Sequence, residues 1–242
     1  MAHGARDFGI YAPKETIVIM EDLGELAVRL GSPVNFDRKG DVVFLDDFED
    51  GISKWDIDLF AGRGSFTWES TYSRFGGFSG LITTGDNNGD ELWIFDFIPT
   101  PIRSKMGLEV SFTLVDTILD FHFGLWVVDS EGRYYPEVQF VRADDKWQYR
   151  DIGGVFQDIT PTQPLIEGPP YFHTVKLVFD LTTQYYSHLK VNNTIYDLSS
   201  LKFRKRDPVG DDSGLFFIRV KNNAAVEALS YIGHVVVTQN EP

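Results

Sequence analysis

A chain of 242 residues that is 43% hydrophobic and 14% aromatic holds ample material for a substantial core, which excludes wholesale disorder and allows one large β domain or two small ones. Its formal charge of -14 makes binding to phosphate backbones unfavourable, so no nucleic-acid partner is expected. With no cysteine there is no disulfide, no thiolate nucleophile and no Cys-ligated metal, which suits a cytosolic or virion protein.

The opening MAHGARDFGIYAPKE lacks the uninterrupted apolar core of a signal peptide, and no window approaches the length of a membrane span. Residues 1–13, with Gly4, Gly9 and Pro13 and no sustained period, predict an extended arm. A short helix is expected next, with Leu23, Leu26, Ala27 and Leu30 on one face. Asp22 and Glu25 have capping-box spacing, and Gly31 can end the helix before Pro33. A single apolar stripe has to be buried against the main body or another subunit.

From Val42 onward the pattern is one of strands. They are expected over 42–48, 65–70, 80–84, 92–97, 107–114, 121–128, 134–141, 147–151, 174–180, 187–191, 194–198, 215–220 and 230–238, with turns such as 85–89 and 129–132 between them. The clearest stretch is Tyr171 to Leu198. There Val175, Leu177 and Phe179 alternate with Thr174, Lys176 and Asp180, and Asn192-Asn193 supplies a two-residue type I′ hairpin. The Pro-rich piece 160–170 reads as a long loop. Lys202, Arg204, Lys205 and Arg206 form a basic run, expected as a solvated loop ended by Asp207-Pro208, with contact to an acidic partner as the lesser reading. About a dozen short-linked strands imply an all-β fold of two stacked antiparallel sheets over 41–242, preceded by the arm and short helix of 1–40.

Asp46-Asp47-Phe48-Glu49-Asp50-Gly51 with Trp55, then Phe172-His173-Thr174-Val175-Lys176-Leu177, Leu189-Lys190-Val191-Asn192, and Tyr231-Ile232 with Val235-Val236-Val237-Thr238 resemble the concanavalin A-like lectin/glucanase superfamily, especially its laminin G-like jelly rolls. The resemblance implies that the opening strand lies near the closing one and that the H-x-V-K-L strand pairs with L-x-V-N. The superfamily hosts lectins, hydrolases, adhesion modules and structural subunits, so fold alone does not choose among them. A second resemblance joins the ends of the chain, Tyr11-Ala12-Pro13-Lys14, residues 25–31 and residues 237–242, to tailed-phage virion proteins carrying such a jelly roll.

Hydrolysis of a glycoside needs two carboxylates flanking the bond. The laminarinase-like Glu-x-Asp-x-x-Glu strand is absent, and Glu91 and Asp96 face opposite sides of a regular strand. Asp47 and Glu49 share a face about 7 Å apart along a strand. Together with Asp46 they are the weak candidates for a calcium ion, which jelly rolls of this kind often hold near the first and last strands, although Gly233-His234 stands where an acidic partner would often sit. The histidines show no metal spacing, Ser79 misses the nucleophile elbow, and Asn192-Asn193-Thr194 matches a glycosylation sequon but reads as a hairpin turn. Aromatic rings stack on sugar faces, and Tyr134, Tyr135, Trp147 and Tyr149, with Phe156, Tyr171 and Phe172, crowd one third of the chain. The expectation is a non-enzymatic virion subunit that decorates or cements a phage capsid or tail. It would dock on other protein subunits through Tyr11, Leu23, Leu26 and Leu30, without a required cofactor and with homo-oligomerisation open. A carbohydrate-binding module that meets a surface glycan is the alternative, and a divergent glycoside hydrolase the third reading.

Overall fold

The structure is a computed structural model that describes residues 40–61, 63–98, 102–115, 119–208, 210 and 212–242, excepting the side chains of 60 and 61. The described residues belong to one structural unit, Lys39–Pro242. The expected arm and helix, with Tyr11, Leu23, Leu26 and Leu30, lie outside the described residues.

Strands follow one another almost without interruption: β1 (Asp41–Asp46), β2 (Asp56–Ala61), β3 (Gly64–Glu69), β4 (Ser79–Thr84), β5 (Glu91–Ile98), β6 (Lys105–Thr113), β7 (Leu119–Asp129), β8 (Gly132–Tyr135), β9 (Glu137–Val141), β10 (Lys146–Arg150), β11 (Phe156–Asp158), β12 (Phe172–Asp180), β13 (Tyr185–Val191), β14 (Thr194–Asp197), β15 (Arg204–Arg206), β16 (Ser213–Asn222) and β17 (Leu229–Gln239). They form two antiparallel sheets. The eight-stranded sheet runs β14-β13-β12-β6-β17-β4-β3 with β1 on β17, and the nine-stranded sheet runs β11-β10-β9-β7-β16-β5-β2 with β8 on β7 and β15 on β8. Opening and closing strands pair, Asp46 opposite Val235, and β12 pairs with β13 through Val175–Val191 and Leu177–Leu189, as the resemblance implies. The described residues thus form an all-β jelly-roll sandwich. No helix among the described residues is long and apolar enough to cross a membrane.

Period-two alternation builds the core between the sheets. On β6, Met106, Leu108, Val110 and Phe112 point inward; on β7, Leu119, Phe121, Phe123, Leu125 and Val127 do. Phe112 meets Phe121 and Phe123 across the layers, with ring centroids 4.7 and 5.2 Å apart, and Trp147 closes the cluster against Phe140 at 5.2 Å. A second cluster joins Phe44, Phe48, Trp55, Phe66 and Phe216.

Several expectations change. The strand expected over 134–141 is two strands divided at Pro136, which has no N–H to give a ladder; both pieces still pair with β7. β2, β11 and β15 were not expected, and the last of these turns the supposed solvated loop at Arg204–Arg206 into a strand on β8. Lys176 and Thr174, expected toward solvent, are buried: Glu241 reaches back to Lys176 Nζ at 2.6 Å, and Arg74 lies over the same face with its Nη1 donating to Ser111 Oγ at 3.0 Å. At the Asn192-Asn193 hairpin only the first residue takes a positive φ, 51°, so the turn is not type I′. Asn192 spends its side chain within the fold, accepting from Thr174 N at 3.0 Å and meeting His173 Nδ1 at 3.1 Å.

Phe112→Ala is expected to cost about 3–5 kcal/mol by chemical denaturation, because it opens a cavity where both sheets meet. Ile195→Ala, at a side chain 64% exposed, should change stability by no more than about 0.5 kcal/mol.

Candidate functional site

The alternation that sends one set of side chains into the core sends the other set out. On the nine-stranded sheet the outward set is rich in rings and hydrogen-bonding groups. β7 presents His122, Gly124 and Trp126 between its core residues, β16 presents Phe217 and Arg219, β5 presents Trp93 and Phe95, and β9 presents Glu137 and Gln139.

Register aligns these into rows across the strands. Trp93, Arg219, His122, Gln139 and Gln148 stand side by side on β5, β16, β7, β9 and β10, and the next row holds Phe95, Phe217, Gly124 and Glu137. Trp93 stacks on Phe217 with centroids 5.0 Å apart, Phe217 is 5.3 Å from Trp126, and Trp126 meets Tyr135 at 5.8 Å. The rings form a continuous aromatic row in which Trp93, Trp126 and Tyr135 are half-buried and Phe217, at 1% exposed, backs them from beneath. Gly124 lies in it because a Cβ there would come within 2.7 Å of Glu137 Cγ and 2.9 Å of Phe217 Cζ.

Polar groups are held around the rings. Glu137 Oε1 accepts from Trp126 Nε1 at 2.8 Å and from Arg150 Nη1 at 2.6 Å. Arg219 Nη2 lies 2.6 Å from His122 Nδ1 and 3.0 Å from Nε2, and its guanidinium sits 5.2 Å over the Trp93 ring while pairing with Glu91 at 3.4 Å. Burial drives the His122 pKa well below its ordinary value, and the charges of Arg219, Lys221 and Arg150 push the same way, so the imidazole is neutral and accepts from Arg219. Tyr186, fully buried on β13 of the opposite sheet, crosses the sandwich to support this face. Its hydroxyl accepts from Glu137 N at 3.1 Å and lies 3.0 Å from Glu137 O and 2.8 Å from Arg150 O. Burial raises its pKa far above the usual tyrosine range, so it remains a hydroxyl.

The sequence-predicted glycan residues divide between faces. Tyr135 lies on the outer face, but Tyr134 and Trp147 are fully buried core residues with no ring face to offer, and Tyr149 packs edge-on against Tyr186 at 5.8 Å. Neighbours along a strand point oppositely, so proximity in sequence could not place them together. Trp93, Trp126, Phe217, Glu137, Arg150 and Arg219 were missed. Their signal is a bulky aromatic or a charge in the solvent phase of a strand, as in Leu125-Trp126-Val127 and Leu92-Trp93-Ile94.

The weak calcium candidates do not converge either. Asp46 is 1% exposed and engaged internally, accepting from Trp55 Nε1 at 2.7 Å and Phe48 N at 3.1 Å. β1 ends there and Phe48 takes φ 64°, so Asp47 and Glu49 sit on a turn and not on one strand face. Glu49 Oε1 instead accepts from the backbone of Gly77 and Phe78 at 2.8 and 3.0 Å. Among the described residues, no group of three or more histidine and acidic side chains is placed to hold a metal ion.

No family model matches the sequence, and no curated protein does. Solved structures do share the fold. The cellulose-induced protein Cip1 aligns with a TM-score of 0.56 at 11% identity over 81% of this chain and 96% of its own. A Bacillus subtilis protein of unknown function with a galectin-like fold gives 0.53 at 12% over 84% and 97%, and the endo-1,3-β-glucanase of Streptomyces sioyaensis gives 0.52 at 12% over 86% and 100%. The likeness is one of fold, a two-sheet β-sandwich.

Two predictions follow from the buried polar groups. Because burial depresses the pKa of His122, and also those of His173 and His188, the unfolded chain binds more protons than the folded one below the ordinary histidine pKa. Stability should therefore be complete above about pH 6.5 and fall as the pH drops below it, and His122→Asn should reduce that slope by up to about 1.4 kcal/mol per pH unit in denaturation series. Tyr186→Phe should cost about 1–3 kcal/mol in the same measurement, since Glu137 N loses its acceptor and the one hydroxyl proton shared between the carbonyls of Glu137 and Arg150 is removed.

Proposed function

We propose that the sandwich is a carbohydrate-binding module that uses the outer face of its nine-stranded sheet. One observation carries this reading: the half-buried rings of Trp93, Trp126 and Tyr135 lie beside the half-buried Arg219, Gln139 and Arg150, with the buried Phe217, His122 and Glu137 fixing them from beneath. Sugars have apolar faces that suit aromatic rings and rims of hydroxyls that need oriented donors and acceptors, and an apolar floor with a few fixed polar groups offers both. The endo-1,3-β-glucanase among the similar structures lends support to a glycan ligand.

The proposed role is binding without hydrolysis. Glu137, the carboxylate central to the face, already accepts from Trp126 and Arg150 through Oε1, an arrangement suited to holding the ring and the guanidinium in place. The assembly role in a phage capsid or tail draws on Tyr11, Leu23, Leu26 and Leu30, which lie outside the described residues. Within 40–242 the geometry favours the glycan ligand.

Trp126→Ala should weaken binding to the oligosaccharides recognised on a glycan array at least about tenfold, equivalent to ~1.4 kcal/mol by isothermal titration calorimetry. Tyr171→Ala, at an exposed ring outside this face, should leave affinity unchanged. Equal affinities for both variants and the parent would overturn the assignment of the face.

A further inference from the structure

We propose that the pocket at one end of this face takes an anionic sugar unit, recognised through its carboxylate or sulfate; the proposal rests on the carbohydrate reading above. The pocket has a volume of about 460 Å³ and is lined by Trp126, Tyr135, Arg133, Arg150, Arg204 and Arg206 together with Val127 and Val128. In a chain of net charge -14 this is a concentrated positive site.

The sequence places the charges there in a simple way. Arg204 and Arg206 are two apart on β15, so they share a face, and register sets them opposite Tyr135 and Arg133 on β8. Lys205, between them, lies opposite the buried Tyr134, with its Nζ 5.2 Å from that ring. The guanidinium carbons of Arg150, Arg204 and Arg206 each lie 6.0 Å from the centre of the Tyr135 ring. Arg150 is neutralised by Glu137 at 2.6 Å, and Arg133 Nε donates to the backbone oxygen of Asp207 at 3.0 Å. Arg204 and Arg206 make no ion pair with any described residue. Gly154, at φ 86°, brings its backbone so close to Arg204 that a Cβ would fall 2.6 Å from Nη1, so the 151–155 turn packs against that side chain.

Guanidinium groups gathered round one ring repel each other until an anion arrives, and their planar forks match carboxylate and sulfate oxygens. Tyr135 and Trp126 beneath them give the sugar ring a stacking surface. The pocket gathers four arginines in a chain whose net charge is -14. It suits a single acidic unit in a glycan better than a continuous phosphate backbone, whose flanking charges the rest of the surface would repel.

The test is calorimetry on the full chain with glucuronate and galacturonate oligosaccharides, their carboxyl-reduced neutral counterparts, sulfated oligosaccharides of the same backbones, and a single-stranded oligodeoxynucleotide. An acidic saccharide should bind at least about tenfold tighter than its neutral counterpart, and the preference should shrink with added salt. Preference for uronates or for sulfated chains identifies the source of the anion, and either supports the proposal. R204Q/R206Q, with an unchanged thermal transition, should abolish the preference while neutral-sugar affinity persists. R204K/R206K should restore only part of it. Equal affinity for acidic and neutral forms, or a preference that survives R204Q/R206Q, overturns the anionic assignment and leaves the carbohydrate reading standing. Binding of the oligodeoxynucleotide with no saccharide binding, or no binding of any probe, overturns both.

Discussion

A strand in a two-layer sandwich can hide only alternate side chains between the sheets, and the rest of this structure follows from that constraint. The inward set of β6, β7, β12 and β16 is nearly all aliphatic or aromatic and forms one continuous core. The outward set then has to be solvated, covered or used. On the eight-stranded sheet it is covered, by Arg74 and by Glu241, whose carboxylate neutralises Lys176. On the nine-stranded sheet Phe217, His122 and Glu137 are buried beneath the half-buried rings of Trp93, Trp126 and Tyr135 and the guanidiniums of Arg150 and Arg219, which form the outer surface.

That surface is rigid because its polar groups are tied to the core. The Tyr186 hydroxyl reaches from the opposite sheet to the backbones of Glu137 and Arg150, so the carboxylate and guanidinium framing Trp126 are positioned by the packing of the sandwich itself. A buried hydroxyl with all its partners is costly to disturb, since an orphaned group cannot fall back on water. His122 is handled the same way: burial keeps it neutral, and a neutral imidazole can accept from Arg219 where a charged one would repel it.

Charge is partitioned as well as balanced. The chain as a whole is strongly acidic, yet Arg133, Arg150, Arg204 and Arg206 converge on one pocket. Their gathering needs one strand pairing that is distant in sequence, β15 on β8, set beside the local β9–β10 hairpin that carries Arg150. The acidic side chains near the opening strand have a different fate. Asp46 is drawn inward by the indole of Trp55, and Glu49 caps the backbone at Gly77 and Phe78, so carboxylates adjacent in sequence serve separate structural ends.

Period-two patterning made the strands, the sandwich class and the β12–β13–β14 run legible from residues alone, because alternation is a local property that each segment carries with it. Short edge strands such as β11 and β15 were not legible: three residues hold too little pattern, and a basic run resembles a solvated loop until a partner strand is found for it. The face chosen by each ring was half legible. Trp126 and Trp93 stand in the solvent phase of otherwise apolar alternations, while Tyr134 and Trp147 stand in the core phase. The sequence by itself determined which residues share a strand face. Only the tertiary structure decided which faces meet, since hydrogen-bonded register between distant strands, and not spacing along the chain, brings Phe217, Gly124 and Glu137 into one row and sets Arg204 beside Tyr135.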